Sequence, residues 1–491
     1  MPTAPRRNLI WVSGAILLLV AVRLVAAALI PLSPDEAYYL DWSRFPAWSY
    51  YDHPPMAAWW IAAGTALFGD SAFGVRVVAV LSGIPTSIAV YLTGRVLFNE
   101  TVAERAALWI NATLLIGVGS ILATPDPPSV MFWSLAILAF ALVVKTGRGV
   151  WWLAVGAFAG LGVASKLTDL FLGLGIVLCL AAVRDLRRWL ASPWAWAGGV
   201  ITVVVLLPLL MWNAGHDWVT LAKQFGRVTT GEFQPLKFPE FIVTQFAVLN
   251  PVIAIFVGLA AVAWIGRKRS YPLAGLGVLM GTALPLIAYM AVHSFHEQIQ
   301  GGWLAPIFPT LALAAAAAAE AAPPERWGGL RALAFPLGAG LSLVGLVLAA
   351  NPRDILPYTI DPGQVIRGWE GVAADADALR QSTGAEWIAV THYGIGGEIA
   401  YHLRDQGIPV VAITERVRYA YAPPPDAALL AKPTLIVSVD QDPAPFAHCF
   451  AEVERVGSIE RRSGGQTVET FAAYLATAAA PGLFDPGCDK P

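Results

Sequence analysis

The sequence predicts a polytopic α-helical membrane protein of about eleven spans, followed by a small extracytoplasmic α/β domain. Three observations carry this. The 491 residues are 57% hydrophobic and 13% charged, against roughly 45–50% apolar and about 25% charged in a soluble globular chain. Apolar runs approaching the roughly 20 residues that cross a bilayer recur between residues 9 and 350. Beyond residue 350 the texture changes to short apolar stretches separated by Gly, Pro and charged residues.

The candidate spans are 9–31, 73–97, 102–122, 127–144, 150–165, 168–183, 194–212, 241–264, 272–292, 303–322 and 329–350. The first follows Arg6 and Arg7 and so imitates a signal peptide. It is longer than the usual apolar region of about 7–15 residues and shows no convincing cleavage site, so it reads as a span. The fifth and sixth are short and joined by "ASKLTD", which suggests tilted or partly re-entrant segments. Arg6/Arg7, Arg95/Arg105, Lys145/Arg148, "RDLRR" (184–188), "GRKR" (266–269) and Arg326/Arg331 fall on one side if the spans alternate. That side is cytoplasmic by the excess of Lys and Arg in short loops. Loops 32–72, 122–126, 165–168, 213–240 and 293–302 then face outward, together with the tail. The expected division is a transmembrane part, 1–350, and an extracytoplasmic part, 351–491.

In the tail, "EWIAVTH", "PVVAIT" and "PTLIVSV" read as strands and "GGEIAYHLRDQG" as a helix ended by Gly. "ETFAAYLA" reads as another short amphipathic segment. "YGIGG" (393–397) lacks a full GxGxxG, and a plain strand-to-helix turn is preferred to a nucleotide site. Cys449 and Cys488 can pair if this region meets an oxidising compartment. A net charge of −2 gives no footprint for nucleic acid.

Every outer loop carries ionisable groups. The stretch "LSPDEAYYLDWSRFPAWSYYDHPP" (32–55) holds Asp35, Glu36, Asp41, Asp52, Arg44 and His53, with Tyr38, Tyr39, Tyr50 and Tyr51. "ATPDPP" supplies Asp126 and the third turn Lys166. "WNAGHDW" supplies His216, ahead of Lys223, Arg227 and Lys237. "HSFHEQIQGGW" supplies His293, His296, Glu297 and Trp303. Charges beside a bilayer mark a pathway or a site. A carboxylate in a partly apolar pocket serves as a general base. Cations stabilise a departing phosphate, and Tyr or Trp rings pack against sugars or lipid. A lipid-linked sugar phosphate uses all three. Each residue also has a plainer reading. "SPDEA" is a helix N-cap signature, Asp126 fits a turn, and Lys166 can snorkel to a headgroup. The two histidines of "HSFHE" are not HExxH, and no metal is expected there. The reading rests on coincidence on one face, not on any single residue.

These motifs resemble a known family. "PDEAYY" after an apolar helix, "YYDHPPMAAWWIAAGTALFGDSAFGVR", "LATPDPPSVMFW", "GLGVASKLTDLFL", "MWNAGHDWVTLAKQF" and "GGWLAPIFPTLAL" are similar, in order over residues 10–320, to the PMT-2-like glycosyltransferases of the GT-C superfamily. That group includes lipid A aminoarabinose transferases and relatives of protein O-mannosyltransferases. The resemblance implies a GT-C fold, commonly of thirteen spans, hence an expectation of 11–13. It implies Asp35 as catalytic base or its close partner, Glu36 as the adjoining acid and Asp126 as the second acidic position. His53 stands where the aminoarabinose enzymes carry a Lys linked to the donor phosphate; Asp52 or the phosphate itself would have to raise its pKa. Lys166 and His216 match recurrent positions near the lipid phosphate, and Arg44 is grouped with them. Tyr38, Tyr39, Tyr51 and Trp303 are the expected sugar or acceptor contacts.

The expected activity is inverting transfer of a sugar from a polyprenyl-phosphate donor to lipid A, lipopolysaccharide core or another envelope glycan, at the periplasmic face of the inner membrane. A monomer and no cofactor are expected. A divalent cation on Asp35, Glu36 and Asp126 stays open. Protein hydroxyls remain alternative acceptors. A flippase is disfavoured, because its charges would sit near the midplane in repeated halves. A structural partner in envelope assembly is the third reading.

Overall fold

The computed structural model describes residues 4–226, 232–351, 361 and 363–488. Arg227, among the basic residues noted above, lies outside them. The chain forms two compact units. The first comprises Met1–Ala27, His53–Ala57 and Arg76–Leu346; the second comprises Ala28–Asp52, Ala58–Val75 and Val347–Pro491.

The first unit is helical. Among the described residues, seven helices are long and apolar enough to cross a membrane, or ten if each of three bent pairs is one span. The bent pairs correspond to the expected runs 102–122, 168–183 and 241–264, and turn by 62°, 117° and 112° respectively. Run 150–165 becomes the short helix Trp151–Val163. The breaks have local causes. Between Lys237–Val248 and Pro251–Ile265, Asn250 adopts φ 79°, a conformation L-residues rarely take. Its side chain compensates: Nδ2 donates to Ala112 O at 3.1 Å and Ala334 O at 2.8 Å, while Oδ1 accepts from Val252 N at 3.0 Å.

Helix α1 (Ala4–Leu29) carries Arg23, 2% exposed. A cation inside a span must be satisfied by protein. Its guanidinium bonds Asn111 Oδ1 at 2.9 Å, Asn111 O at 3.1 Å and Gly117 O at 3.3 Å, so it uses carbonyls that the break after Asn111 leaves unpaired. The core around these helices contains Trp109, Trp133, Phe140, Phe256 and Phe308 and the Ala-rich run 312–319, which is almost fully buried.

The second unit contains helix α2 (Pro34–Arg44) and a five-stranded sheet. The strands are β1 (Trp387–Val390), β2 (Val410–Ala412), β3 (Thr434–Ser438), β4 (Phe450–Ser463) and β5 (Gln466–Ala479), in the order β2-β1-β3-β5-β4. Strand β1 runs parallel to β2 and β3; β5 is antiparallel to β3 and β4. Period-two alternation sends Ile388 and Val390 to one face, against Trp369, Val372 and Phe471. It sends Trp387 and Ala389 to the other, against Phe446 and Phe484. Cys449 and Cys488 are disulfide-bonded on that second face, with Cα atoms 6.1 Å apart.

The expected strands 387–390, 410–412 and 434–438 and the helix Tyr393–His402 are present; the helix is capped at Leu403, and Gly407, at φ 67°, closes the short turn Arg404–Gln406 that follows it. "ETFAAYLA" is corrected: it lies in β5, half of a long hairpin with β4. The hairpin turns on Gly464 and Gly465, both at positive φ, as a tight two-residue connection requires.

Candidate active site

Asp35, Glu36, Tyr38, Tyr39, Arg44 and Tyr51 belong to the second unit; Asp126, His53, Lys166, His216 and Trp303 belong to the first.

Helix α2 starts because Ser33 and Glu36 form a capping box. The Ser33 Oγ accepts from Glu36 N at 3.4 Å, and Glu36 Oε2 accepts from Ser33 N at 3.0 Å. Glu36 is fully buried, and its carboxylate holds the helix start. Asp35, one residue earlier and exposed, is differently placed. The Tyr393 hydroxyl donates to its Oδ1 at 3.2 Å. Burial pushes the Asp35 carboxyl above its ordinary range; the Tyr393 bond pulls it down, neighbouring Asp52 and Glu36 push it up, and His392 pulls it down. Such a carboxyl keeps a proton affinity useful to a general base.

The wall around Asp35 is aromatic and cationic. Arg418 is buried and meets both oxygens of Asp52 through one nitrogen, Nη1 lying 2.7 Å from Oδ1 and 2.6 Å from Oδ2. Its Nε meets Glu415 Oε2 at 2.7 Å. The same guanidinium stacks over the rings of Tyr393 at 4.5 Å and Tyr51 at 5.1 Å. The Tyr38 hydroxyl donates to Asp52 Oδ2 at 3.3 Å, and its ring packs 4.8 Å from that of Tyr393. Tyr38 and Tyr39 are both buried, Tyr39 against Trp42 at 4.5 Å. They are structural parts of the wall. Arg44 is paired with Asp41 at 3.0 Å and Asp70 at 3.1 Å.

Sequence reading missed Tyr393 and Arg418. It did single out "YGIGG", and the structure shows what the glycines do. A Cβ on Gly397 would lie 2.7 Å from Tyr38 N and 2.9 Å from Ala37 C; one on Gly394 would lie 3.1 Å from Pro34 Cβ. The helix Tyr393–His402 thus lies directly on α2, which brings Tyr393 to Asp35.

In the first unit, Asp126 opens the helix Asp126–Thr146 ahead of Pro127 and Pro128. Lys166 Nζ lies 2.6 Å from Asp126 Oδ1 and donates to Gly302 O at 3.3 Å. A Cβ at Gly302 would come within 2.6 Å of Asp126 Oδ2, so a larger residue there would displace the Asp126 carboxylate. Next to it, Trp303 stacks on His293 at 5.8 Å, and His293 Nε2 lies 3.1 Å from Glu297 Oε2. Met56 N donates to Ala164 O at 3.2 Å, tying the turn that begins at half-buried His53 to the turn that carries Lys166. His216 stacks on Trp212 at 3.9 Å, its Nδ1 2.7 Å from Trp212 O. Asp217 and Trp218 follow at φ 51° and 56°, strain of the kind that gathers at functional turns. Among the described residues, one group offers three ligand atoms within reach of one another, namely His448, Cys449 and Cys488. Two of these are the disulfide.

The family model for Dolichyl-phosphate-mannose-protein mannosyltransferase matches residues 52–212. The Lipid A galacturonosyltransferase RgtD of Rhizobium johnstonii is 26% identical over 402 residues, covering 77% of this chain and 79% of that protein. The undecaprenyl phosphate-alpha-4-amino-4-deoxy-L-arabinose arabinosyl transferase of Pseudomonas aeruginosa is 24% identical over 486 residues, covering 81% of this chain and 85% of its own. The crystal structure of ArnT from Cupriavidus metallidurans bound to undecaprenyl phosphate superposes with a TM-score of 0.68 at 17% identity, covering 94% of this chain and 98% of that one. That last likeness shows the fold, GT-C. These matches support the resemblance to PMT-2-like glycosyltransferases read from the sequence.

Proposed function

We propose that this enzyme moves a sugar from a polyprenyl-phosphate donor to lipid A or the lipopolysaccharide core, at the periplasmic face of the bacterial inner membrane. The observation that carries the mechanism is Asp35, held by Tyr393 in a buried aromatic wall that raises its proton affinity. Asp35 accepts the proton of the acceptor hydroxyl as that oxygen attacks the anomeric carbon. The bond from that carbon to the phosphate oxygen breaks, polyprenyl phosphate leaves, and the anomeric configuration inverts. Lys166, His53 and His216 serve the phosphate, with Asp126 holding the Lys166 ammonium in place. Tyr51 and Trp303 serve the sugar or acceptor. No metal is assigned. The printed substrates of the galacturonosyl and aminoarabinosyl relatives support the donor and acceptor classes.

The same reading takes residues 1–350 as the transmembrane catalytic part with eleven to thirteen spans, acting as a monomer, and 351–491 as periplasmic. The N-terminus is then cytoplasmic. The Cys449–Cys488 disulfide supports an oxidising location for the tail. Purified protein in detergent, given undecaprenyl-phosphate-linked sugar and lipid A, is expected to yield sugar-modified lipid A. Transport alone gives no such product, because detergent leaves no second compartment. Absence of product with every donor tried would refute transfer.

A further inference from the structure

A cleft of about 380 Å³ opens in the second unit. Arg44, Arg404 and Arg416 line it, with Asp41, Tyr419 and Tyr421. The three cations differ. Arg44 is held by Asp41 and Asp70. Arg404 lies over the Tyr401 ring at 4.6 Å and is 3.8 Å from Asp405, which is itself 86% exposed. Arg416 is half-buried and bonds only carbonyls, Nη1 to Ala412 O at 3.0 Å and Nε to Phe484 O at 3.3 Å. Among the described residues no carboxylate comes within ion-pair distance of it.

A partly desolvated guanidinium that lines a cleft with no described carboxylate at ion-pair distance suits an anionic ligand, and its planar fork matches a carboxylate or phosphate. The surroundings specify more. Tyr419 and Tyr421 stand 6.2 Å apart with rings inclined by 32°, offering amphipathic faces of the kind that pack on a sugar ring. Asp41 adds a carboxyl that accepts from hydroxyls. An inorganic anion would use the arginine and leave these walls idle.

We propose that this cleft binds an acidic saccharide, a sugar ring bearing a carboxylate or a phosphate, with Arg416 and Arg404 on the anion and the two tyrosines on the ring. The proposal extends the transfer reading by giving the second unit a saccharide site, and binding alone tests it.

Full-length protein in detergent is titrated by calorimetry with trigalacturonic acid, glucosamine 1-phosphate and, as a neutral control, galactose. At least one acidic probe is expected to bind, with galactose at least tenfold weaker; whichever acidic probe binds tighter assigns the anion as carboxylate or phosphate. Arg416→Gln is expected to weaken that binding at least tenfold. Because Arg416 also ties two backbone segments, Arg404→Glu serves as the second variant, expected to weaken binding with an unchanged melting temperature. Galactose binding as tightly as the acidic probes, no binding by either acidic probe, or wild-type affinity in both folded variants would overturn the proposal. Failure of sugar transfer would leave the titration unaffected, so the two readings fail separately.

Discussion

The Tyr393 hydroxyl lies 3.2 Å from the Asp35 carboxylate, joining a helix of the sheet domain to the first turn of α2 across 358 positions of sequence. The hydrogen bond favours the ionised carboxylate, while burial of Asp35 opposes it.

Tyr393→Phe removes that bond. The Asp35 pKa, already raised by burial, rises further, because the ionised form alone loses a partner. A hydrogen bond to a charged group contributes about 1.5–3 kcal/mol, and one pKa unit corresponds to about 1.4 kcal/mol. The acidic limb of the kcat/KM profile is expected to move up by about one to two pH units, with activity recovering at higher pH. An unmoved limb with a uniform loss would mean that Tyr393 only packs.

Arg418→Met deprives buried Asp52 of its guanidinium. Breaking a buried ion pair by removing one partner costs about 3–5 kcal/mol, so the thermal transition of the purified protein is expected to fall by several degrees. Arg418→Lys recovers little, since a single ammonium cannot bridge Asp52 and Glu415 as the guanidinium does, nor reproduce its stacking on Tyr51 and Tyr393.

Lys166→Met is expected to lower kcat about 10²–10³-fold if the ammonium stabilises the departing phosphate. Asp126→Asn releases the same ammonium from its 2.6 Å partner. The double variant is expected to be no worse than Lys166→Met alone, a non-additivity that a double-mutant cycle reads directly. Strict additivity would separate the two residues.

Glu398 tests the second unit through stability. It is 1% exposed, and burial pushes its carboxyl up to about 7, against a smaller opposing effect of His402. The folded state therefore holds this proton more tightly than the unfolded state. The contribution to stability is full below the ordinary glutamate range and is lost as pH rises through about 7. Glu398→Gln is expected to flatten the decline in melting temperature between pH 5 and pH 8; an unchanged slope would contradict this assignment.

The spans were legible because an apolar run of sufficient length has few alternatives in a lipid solvent. Their breaks were less so. Asn250-Pro251 marks one, but the 112° turn depends on carbonyls of Ala112 and Ala334, which no local pattern announces. The capping role of Glu36 was written in "SPDE", and the structure places Glu36 in that role, beside an exposed Asp35. Hairpin β4–β5 was missed although Gly464-Gly465 signals its turn, because β4 is rich in charge and is held by pairing to β5 rather than by its own burial pattern. Tyr393 and Arg418 were illegible as site residues. Their partners lie 358 and 366 positions away, and a single sequence carries no trace of such contacts beyond the close-packing glycines of "YGIGG".

The most direct measurement compares the masses of lipid A and core oligosaccharide from a deletion strain with those from the same strain carrying wild-type protein or Asp35→Asn. The expected result is loss of one sugar mass on deletion, restored by wild type and not by Asp35→Asn. Full restoration by Asp35→Asn would contradict the assignment of Asp35 as the base, and identical profiles in all strains would contradict lipid A and core as the acceptors.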